Sequence, residues 1–309
     1  MKFSNLYIGT LSGTSADSID AALFELGKKI NLVGSASKKI PENLKSEITK
    51  LSNTQKNLND YPTKSLIKLD ESFALETANL INKLLTKLNI NKNLVHAIGS
   101  HGQTIQHFPR IDKPYSLQIG NPRIISKVTG IKTVGNFRKA NIEHGGIGAP
   151  LTPAFHKEIF FSKKLNRVII NIGGITNITR LIPGKKIIGW DSGPGNCMID
   201  QCVKEFSSNK MQFDDKGRIA KKGNANSLIK EINKVLSMSY FQENLPKSQS
   251  TINFNFNKLS KSNLNKYSFA DWTAAMTEIT ALSIVKDVDK FCNADKVEIY
   301  FCGGGSKND

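Results

Sequence analysis

Two stretches of the chain consist of apolar runs separated by a turn of small residues. The first covers Tyr7 to Phe24, and its turn is built from serine, glycine, threonine and aspartate. The second covers Leu165 to Ile182, with a turn at residues 173–177. Each pattern predicts two strands joined by a tight connection. Because the same arrangement occurs in both halves, the sequence indicates two related domains.

Further elements follow from the spacing of the apolar residues. Short apolar runs predict additional strands, which lie at residues 30–34, 95–99, 116–119, 131–134, 186–190 and 296–302. Apolar residues at helical spacing predict helices, which lie at residues 41–51, 64–88, 123–129, 197–206, 228–238 and 269–291. Residues 52–63 are polar, which predicts a loop.

Glycine and proline are concentrated around residues 144–153. Such a stretch cannot continue a helix or a central strand. We therefore expect a close-packed loop there, at a ligand cleft or at a domain hinge. The predicted domain boundary lies near it, with a first domain over residues 1–130 and a second over residues 131–309.

The composition is that of a globular protein, since apolar residues make up 39% and charged residues 22% of the 309 positions. No apolar run approaches the 20 or so residues that span a bilayer, and the first residues lack the layout of a signal peptide. The four cysteines fit neither a disulfide framework nor CxxC zinc spacing. We therefore expect a cytoplasmic protein with reduced thiols and no membrane partner.

The formal net charge of +17 raises the question of a nucleic-acid partner. The lysines, however, are scattered and alternate with asparagine, and there is no basic run. The interleaving of arginine and aromatic residues that single-strand binders use is also missing. We therefore expect no nucleic-acid partner, and only a mild attraction for an acidic ligand.

The turn of the first hairpin has the composition of a phosphate-binding loop. Glycine lets the backbone approach a ligand closely, and hydroxyl and N–H groups can surround an anion. Asp17 and Asp20 add carboxylates, which suit a phosphate that carries Mg²⁺. The same residue types are standard in ordinary hairpin turns, so this stretch alone leaves both interpretations open.

Polar residues follow two other predicted strands. His101, Gln103 and Thr104 come just after one of them, and Asp191 comes just after another. Ligands of open α/β sheets bind at the carboxyl ends of strands, and a carboxylate placed there is suited to act as a general base. A turn histidine and an aspartate that caps a turn or helix are the alternatives.

Three consecutive glycines, Gly303 to Gly305, follow the last predicted strand. Residues without a side chain allow a flat group to approach the backbone closely. An adenine base is such a group, so these glycines are candidates for a nucleotide contact.

Together these turns resemble the motifs of the anhydro-N-acetylmuramic acid kinase family, within the superfamily of sugar kinases and actin. The matching stretches follow the family order over nearly the whole chain, as SGTSADSID (12–20), GSHGQT (99–104), LQIGNP (117–122), GGIGAPLTPAFH (145–156), NIGGITN (171–177), WDSGPGN (190–196) and CGGG (302–305). The resemblance implies two actin-like (ribonuclease H-like) α/β domains around an ATP cleft. It also implies a cytoplasmic homodimer that uses ATP and Mg²⁺.

The resemblance further implies a reaction. Water opens the anhydro ring of 1,6-anhydro-N-acetylmuramic acid while ATP phosphorylates O6, giving N-acetylmuramic acid 6-phosphate and ADP in peptidoglycan recycling. Inverting hydrolysis of a glycosidic bond uses a carboxylate to activate water. Because the departing O6 can pass its electrons to the γ-phosphate, a second carboxylic acid is not required.

The same resemblance implies catalytic and binding roles for individual residues. Asp191 matches the catalytic base. The implied ATP-binding residues are Gly13, Thr14, Ser15, Ala16, Asp17, Ser18, Ile19, Asp20, Gly173, Gly174, Gly303, Gly304 and Gly305. Asp17 is also the implied Mg²⁺ ligand. The implied substrate-binding residues are His101, Gln103, Thr104 and Asn196.

The chain departs from the family pattern at several positions. Ser18 stands where glycine is usual, Asn136 and Asn141 stand where aspartate is usual, and residues 249–252 differ from the usual Thr-Gly-Arg-Glu. The family also continues beyond the CGGG motif, so the resemblance implies a second domain that is apparently truncated at its C-terminus. The alternatives are another sugar kinase of this superfamily and an inactive remnant that binds ATP or sugar.

Overall fold

The computed structural model describes residues 5–52, 64–108 and 114–308. The chain divides into two compact units, Met1–Gly148 (unit 1) and Ala149–Asp309 (unit 2). Each unit has a sheet and hydrophobic cores of its own. All but the first residue of the loop predicted over 52–63 lies outside the described residues.

Unit 1 contains a main sheet that begins with the predicted hairpin, and a separate pair of strands. The strands are β1 (Leu6–Ser12), β2 (Ser18–Leu26), β3 (Ile30–Lys39), β4 (Val95–Ser100), β5 (Gln103–Phe108), β6 (Tyr115–Ile119) and β7 (Thr133–Val134). The main sheet has the order β3-β2-β1-β4-β7, and β5 pairs with β6. The first three strands are antiparallel, whereas β4 and β7 run parallel to β1.

Helices cover this sheet and supply its core. They are α1 (Glu42–Ser52), α2 (Lys64–Lys87), α3 (Pro122–Thr129) and α4 (Phe137–Glu143). The alternating pattern of the strands buries Ile8 and Leu23, and the helical spacing of α2 buries Leu69 and Phe73 against them. Burial of each such side chain contributes about 1.5–3 kcal/mol, so α2 is a structural helix.

Unit 2 repeats the first part of this sheet. Its strands are β8 (Arg167–Ile172), β9 (Ile175–Leu181), β10 (Ile188–Pro194) and β11 (Glu298–Cys302). The order is β10-β9-β8-β11, in which β8, β9 and β10 are antiparallel and β11 is parallel to β8. This matches the order β3-β2-β1-β4 of unit 1. The predicted pair of related actin-like α/β domains is confirmed.

The helices of unit 2 surround a long central one. They are α5 (Thr152–Phe160), α6 (Cys197–Phe206), α7 (Ile229–Leu236), α8 (Phe256–Ser260) and α9 (Phe269–Phe291). Helix α9 begins with a capping box between Ser268 and Asp271, and its Trp272, Met276 and Ile279 are fully buried. In the part of the chain that the structure describes, no helix is long and apolar enough to cross a membrane.

The division of the chain falls after Gly148, whereas the sequence places the boundary at residue 130. Residues 131–148 belong to unit 1 because β7 pairs with β4 and α4 packs against β6. Helix α5 occupies the last two positions of the region predicted as a loop, since it begins at Thr152.

Candidate active site

The predicted phosphate loop connects β1 to β2 at the surface of unit 1. Gly13, Thr14 and Ser15 are exposed, so a ligand can reach their hydroxyl and N–H groups. The residue in the left-handed region is Ala16, with a φ of 51°, and its N–H donates to Gly13 O at 3.0 Å. Ile19 is buried in the core, so its side chain is not accessible to a nucleotide.

The carboxylates of this loop already have partners in the protein. Asp17 Oδ1 lies 2.5 Å from Lys45 Nζ of α1, and Asp20 accepts a hydrogen bond from Ser18 at 3.4 Å. Within residues 5–52, 64–108 and 114–308, no group of three or more His, Cys, Asp or Glu could hold a metal ion. Nucleotide-bound Mg²⁺ is usually held by one or two carboxylates and by phosphates. Asp17 and Asp20 are the carboxylates that this loop offers to such a cation.

Gln103 links the last residue of β1 to the first residue of β5. Its Oε1 is hydrogen-bonded to Ser12 Oγ at 2.6 Å, and its Nε2 donates to Thr104 O at 3.1 Å. The residue is only 1% exposed, so its side chain has no surface for the predicted sugar contact. Thr104 is half-buried, and its hydroxyl accepts a hydrogen bond from Gln118 at 3.4 Å.

His101 is engaged through both ring nitrogens. Arg138 Nε donates to Nε2 at 2.9 Å, so Nδ1 carries the ring proton, 3.0 Å from Gly102 O. Burial and the nearby Arg138 charge lower the pKa of His101 to about 4. His101 is therefore neutral at pH 7, and it orients Arg138 near the carboxyl end of β4. The sequence placed His101 at a site but did not predict this arginine partner.

We expect the free energy of unfolding to decrease as the pH falls from about 6.5 towards 4. The unfolded chain protonates His101 near its ordinary pKa of 6.5, whereas the folded chain does so only near pH 4. The unfolded state thus binds more protons in this range and is favoured by acid. The contribution of His101 reaches about 3 kcal/mol at most. Urea unfolding at about pH 7.5, 6 and 5 measures the slope.

His101→Gln is expected to flatten part of this pH dependence. His107 contributes in the same direction, because burial and the Arg138 charge lower its pKa to about 3. His96→Gln, at an exposed position of β4, is the matched control. An unchanged pH dependence in His101→Gln would contradict the assignment of a buried neutral histidine.

A cavity of about 430 Å³ lies beside His101 in unit 1. It is located at the carboxyl ends of β4 and β7, where ligands bind in α/β sheets. Ser100 Oγ lines it and is buried without a hydrogen-bond partner among the described residues. Asp70 of α2 accepts hydrogen bonds from Gly120 N–H (2.7 Å) and Asn121 Nδ2 (3.2 Å) on the same wall. The sequence did not predict Ser100 or Asp70, because Asp70 falls within a structural helix pattern.

Asp191 lies inside a strand of unit 2. The sequence predicted a strand that ends at Trp190, but β10 continues to Pro194 with an irregular register between Asp191 and Gly193. The N-cap of α6 is Asn196, so Asp191 does not cap this helix. The alternative of a helix-capping aspartate is therefore wrong.

The Asp191 carboxylate is 7% exposed and held in one orientation. Its Oδ2 accepts hydrogen bonds from Ser248 Oγ at 2.6 Å and from Gln249 N–H at 2.9 Å. The Asp191 N–H donates to Lys247 O at 3.1 Å, and the Asp191 carbonyl accepts from the Tyr240 hydroxyl. Donors aimed at a carboxylate favour its ionised form, which is the form that a general base needs.

A buried ion pair anchors the segment that holds Asp191. Lys247 Nζ lies 2.8 Å from Asp287 Oδ1 of α9, and both side chains are fully buried. Asp287 Oδ2 accepts from Trp190 Nε1 at 2.9 Å, and the Lys247 ammonium lies 4.8 Å from the Tyr240 ring centre. Burial lowers the pKa of Lys247 and raises that of Asp287, while their mutual attraction opposes both shifts.

The turn between β8 and β9 packs against the start of α6. It consists of Gly173 and Gly174, since β9 already begins at Ile175. Gly173 O accepts from Asn196 N–H at 2.8 Å, and Gly174 O accepts from Gly195 N–H at 3.0 Å. A Cβ on Gly195 would lie 2.2 Å from Gly173 O. The structure thus brings the predicted Gly173, Gly174 and Asn196 together.

The glycine turn after β11 packs against the end of β8 and against Asn196. Gly303 has a φ of 86°, and a Cβ there would lie 2.5 Å from Ile172 O. A Cβ on Gly305 would lie 2.7 Å from Asn196 Oδ1, whereas one on Gly304 would have ordinary contacts. The close approach that requires Gly303 and Gly305 therefore comes from the protein itself.

Two of the departures from the family pattern, Asn136 and Asn141, fit their local structure. Asn141 Oδ1 accepts from Gly148 N–H at 2.8 Å, a bond that an aspartate could also make. Asn136 has a φ of 59°, which asparagine and aspartate both tolerate. In the 247–252 stretch, the two residues that follow the family, Lys247 and Ser248, are the ones whose side chains anchor this segment and Asp191.

Both units contain an antiparallel hairpin with a third strand, followed by a parallel fourth strand. This arrangement defines an α/β protein of the actin-like class. Sequence comparison narrows this class. The family model for anhydro-N-acetylmuramic acid kinase matches residues 5–309. The chain belongs to this family, and it is a kinase.

Two relatives that carry the name of this family are similar to the chain over nearly its whole length. The chain is 37% identical to the anhydro-N-acetylmuramic acid kinase of Shewanella denitrificans, over 98% of this chain and 80% of that protein. It is 38% identical to the enzyme of the same name from Coxiella burnetii, over 98% of this chain and 79% of that protein.

Among solved structures the chain is similar to component A of (R)-2-hydroxyglutaryl-CoA dehydratase from Acidaminococcus fermentans. That similarity has 10% identity and a TM-score of 0.48, over 99% of this chain and 85% of that one.

Proposed function

We propose that the chain converts 1,6-anhydro-N-acetylmuramic acid, water and ATP into N-acetylmuramic acid 6-phosphate and ADP, in the recycling of peptidoglycan. The observation that carries this proposal is the buried Asp191 carboxylate, oriented by Ser248 and Gln249. It lies in the WDSGPGN stretch that matches the family.

We assign Asp191 the role of general base. Its carboxylate takes a proton from the water that attacks C1 of the sugar. As the bond from water to C1 forms, the C1–O6 bond breaks, and O6 bonds to the γ-phosphorus while the bond to ADP breaks. The proton later leaves Asp191 for solvent. Since O6 passes its electrons to phosphorus, the leaving oxygen needs no carboxylic acid.

We assign the phosphates of ATP to the turn of unit 1. The exposed Gly13, Thr14 and Ser15 would supply hydroxyl and N–H donors, and Lys45 beside Asp17 adds a positive charge. Bound Mg²⁺ would neutralise charge on the phosphates, with Asp17 as its candidate ligand. We assign the adenosine to the Gly303–Gly305 turn of unit 2, with the nearby Gly173 and Gly174.

We assign sugar contacts to Arg138 and Asn196. The guanidinium of Arg138, oriented by His101, suits the carboxylate of the lactyl group, because arginine pairs with carboxylates through two parallel hydrogen bonds. Gln103 and Thr104 support this region through their contacts within unit 1.

We also propose that the protein is a cytoplasmic homodimer. Light scattering on the purified chain measures the oligomeric state and so tests the dimer.

An ADP-release assay tests the proposed reaction. The wild-type chain, with ATP and Mg²⁺, is given the anhydro sugar, N-acetylmuramic acid or glucose. We expect ADP release with the anhydro sugar alone, and a product heavier by one water and one phosphoryl group. In heavy-oxygen water the label is expected on C1 and not on the phosphate. Turnover of glucose, or none with the anhydro sugar, would contradict the proposal.

A further inference from the structure

A row of polar residues crosses the sheet of unit 2 at Asp191. In the strand register, Asn171 of β8 pairs with Asn177 of β9, and Asn177 pairs with Asp191 of β10. Directly opposed residues share one face of a sheet. Their neighbours Ile178 and Trp190 belong to the hydrophobic core on the other face. The three polar side chains therefore form a row on the face opposite this core.

Asn177 differs from the other two members of the row. Asn171 Oδ1 accepts from Cys302 Sγ at 3.7 Å, and Asp191 accepts from two donors. Asn177 Oδ1 is buried and has no hydrogen-bond partner among the described residues. Buried polar atoms are nearly always paired, and leaving one unpaired costs free energy. Asn177 thus has a place for a hydrogen bond from a ligand, one strand away from Asp191.

We propose that the Asn177 carboxamide holds the attacking water together with Asp191. The inference rests on the proposed function, in which that water gives one proton to Asp191. Its second O–H would donate to Asn177 Oδ1, while the water oxygen forms the bond to C1. No proton moves to Asn177, so this residue positions the nucleophile and leaves the proton balance of the reaction unchanged.

The geometry suits this role for a physical reason. Directly opposed residues on antiparallel strands have Cβ atoms about 5 Å apart, so two short polar side chains at such positions are close enough to contact the same water. Two acceptors fix both O–H directions of that water and aim a lone pair away from them. Orientation of a reactant in this way can contribute about 10²-fold to a rate.

Thr176 provides a matched control in the same hairpin. Its Oγ1 is also buried without a partner among the described residues, but it precedes Asn177 on β9 and so points to the other face. Thr176→Val keeps the side-chain shape and removes the hydroxyl. If unpaired polar atoms matter only for the packing of this hairpin, the two positions will respond alike.

The experiment compares Asn177→Ala, Asn177→Asp and Thr176→Val in the full chain with ATP and the anhydro sugar. For Asn177→Ala we expect kcat to fall about 10–100-fold, with an unchanged Kd for ATP. For Asn177→Asp, a second carboxylate opposite Asp191 disfavours ionisation of the pair. Its pH profile of kcat/KM is therefore expected to rise at higher pH than that of the wild type. Thr176→Val is expected to keep the wild-type kcat and profile.

The outcomes separate the possible failures. Wild-type kcat in Asn177→Ala, or an equal loss in Thr176→Val, would overturn the role of Asn177. An Asn177→Asp profile that coincides with the wild type would overturn it as well, because a distant structural asparagine would leave that profile unchanged. Absence of turnover in the wild type, or full turnover by Asp191→Asn, would overturn the proposed function itself, and this inference with it.

Discussion

Replacing Asp191 with asparagine is expected to lower kcat by about 10²–10⁴-fold, the range that a general base contributes. Asparagine keeps the size of the side chain and can still accept a hydrogen bond from Ser248. It cannot take a proton from water at neutral pH. Because Asp191 is not among the residues that we assign to ATP, the Kd for ATP is expected to stay within a few-fold of the wild type. ADP release and calorimetric titration measure the two quantities.

Two further variants test whether the loss of turnover is specific to the Asp191 carboxylate. Ser248→Ala removes one of two donors to the carboxylate but keeps the base, so we expect a loss of about tenfold or more, in line with a hydrogen bond to a charged group. Asp289→Asn, an exposed position on α9, is the control. Wild-type turnover by Asp191→Asn would remove the assignment of this residue as the base.

Lys247→Met is expected to destabilise the protein by about 3–5 kcal/mol, because it leaves the buried Asp287 without its counter-charge. The Trp190 N–H would remain as a donor to Asp287, but burial disfavours the ionised carboxylate. Turnover is expected to fall as well, because the lost ion pair anchors the segment whose main chain and Ser248 side chain hold Asp191. Urea unfolding monitored by tryptophan fluorescence gives the change in free energy.

The double variant Lys247→Met with Asp287→Asn separates charge from packing. Both side chains are then neutral, and an amide oxygen can still accept from Trp190. We expect this variant to be more stable than Lys247→Met alone, since neutral replacement of a buried ion pair is often well tolerated. A double variant as unstable as the sum of the two single variants would contradict a buried charge as the cause.

The elements with a regular apolar pattern could be predicted from the sequence. Helix α9 runs from Phe269 to Phe291 as predicted, and its capping box explains the start. The end of β10 could not be predicted, because Gly193 and Pro194 usually stop a strand. At the edge of a sheet a proline is tolerated, since its missing N–H faces away from the neighbouring strand. Helix α5 was missed because Pro153 suggests a loop, although proline is also favoured in the first turn of a helix.

The candidate site was predicted in part, for a different reason. Asp191 stands in a short motif, so its position could be recognised from neighbouring residues. Its partners Ser248 and Gln249 lie in an irregular segment more than 50 positions away. No local sequence pattern predicts a contact over that distance. Gln103 shows the opposite case. A glutamine after a strand suits a ligand contact and an internal bond equally, and only the structure distinguishes the two.

The strand order of unit 2 has a consequence for the synthesis of the chain. Strands β8, β9 and β10 can pair as soon as each emerges, but β11, which pairs with β8, begins only at Glu298. At ribosomal rates of about 5–20 residues per second, the β11 edge of β8 stays open for on the order of ten seconds. Val168, Ile169 and Ile170 lie along that edge. An open edge rich in β-branched residues is a template for pairing with other chains. This interval is therefore when a nascent chain has most need of a chaperone.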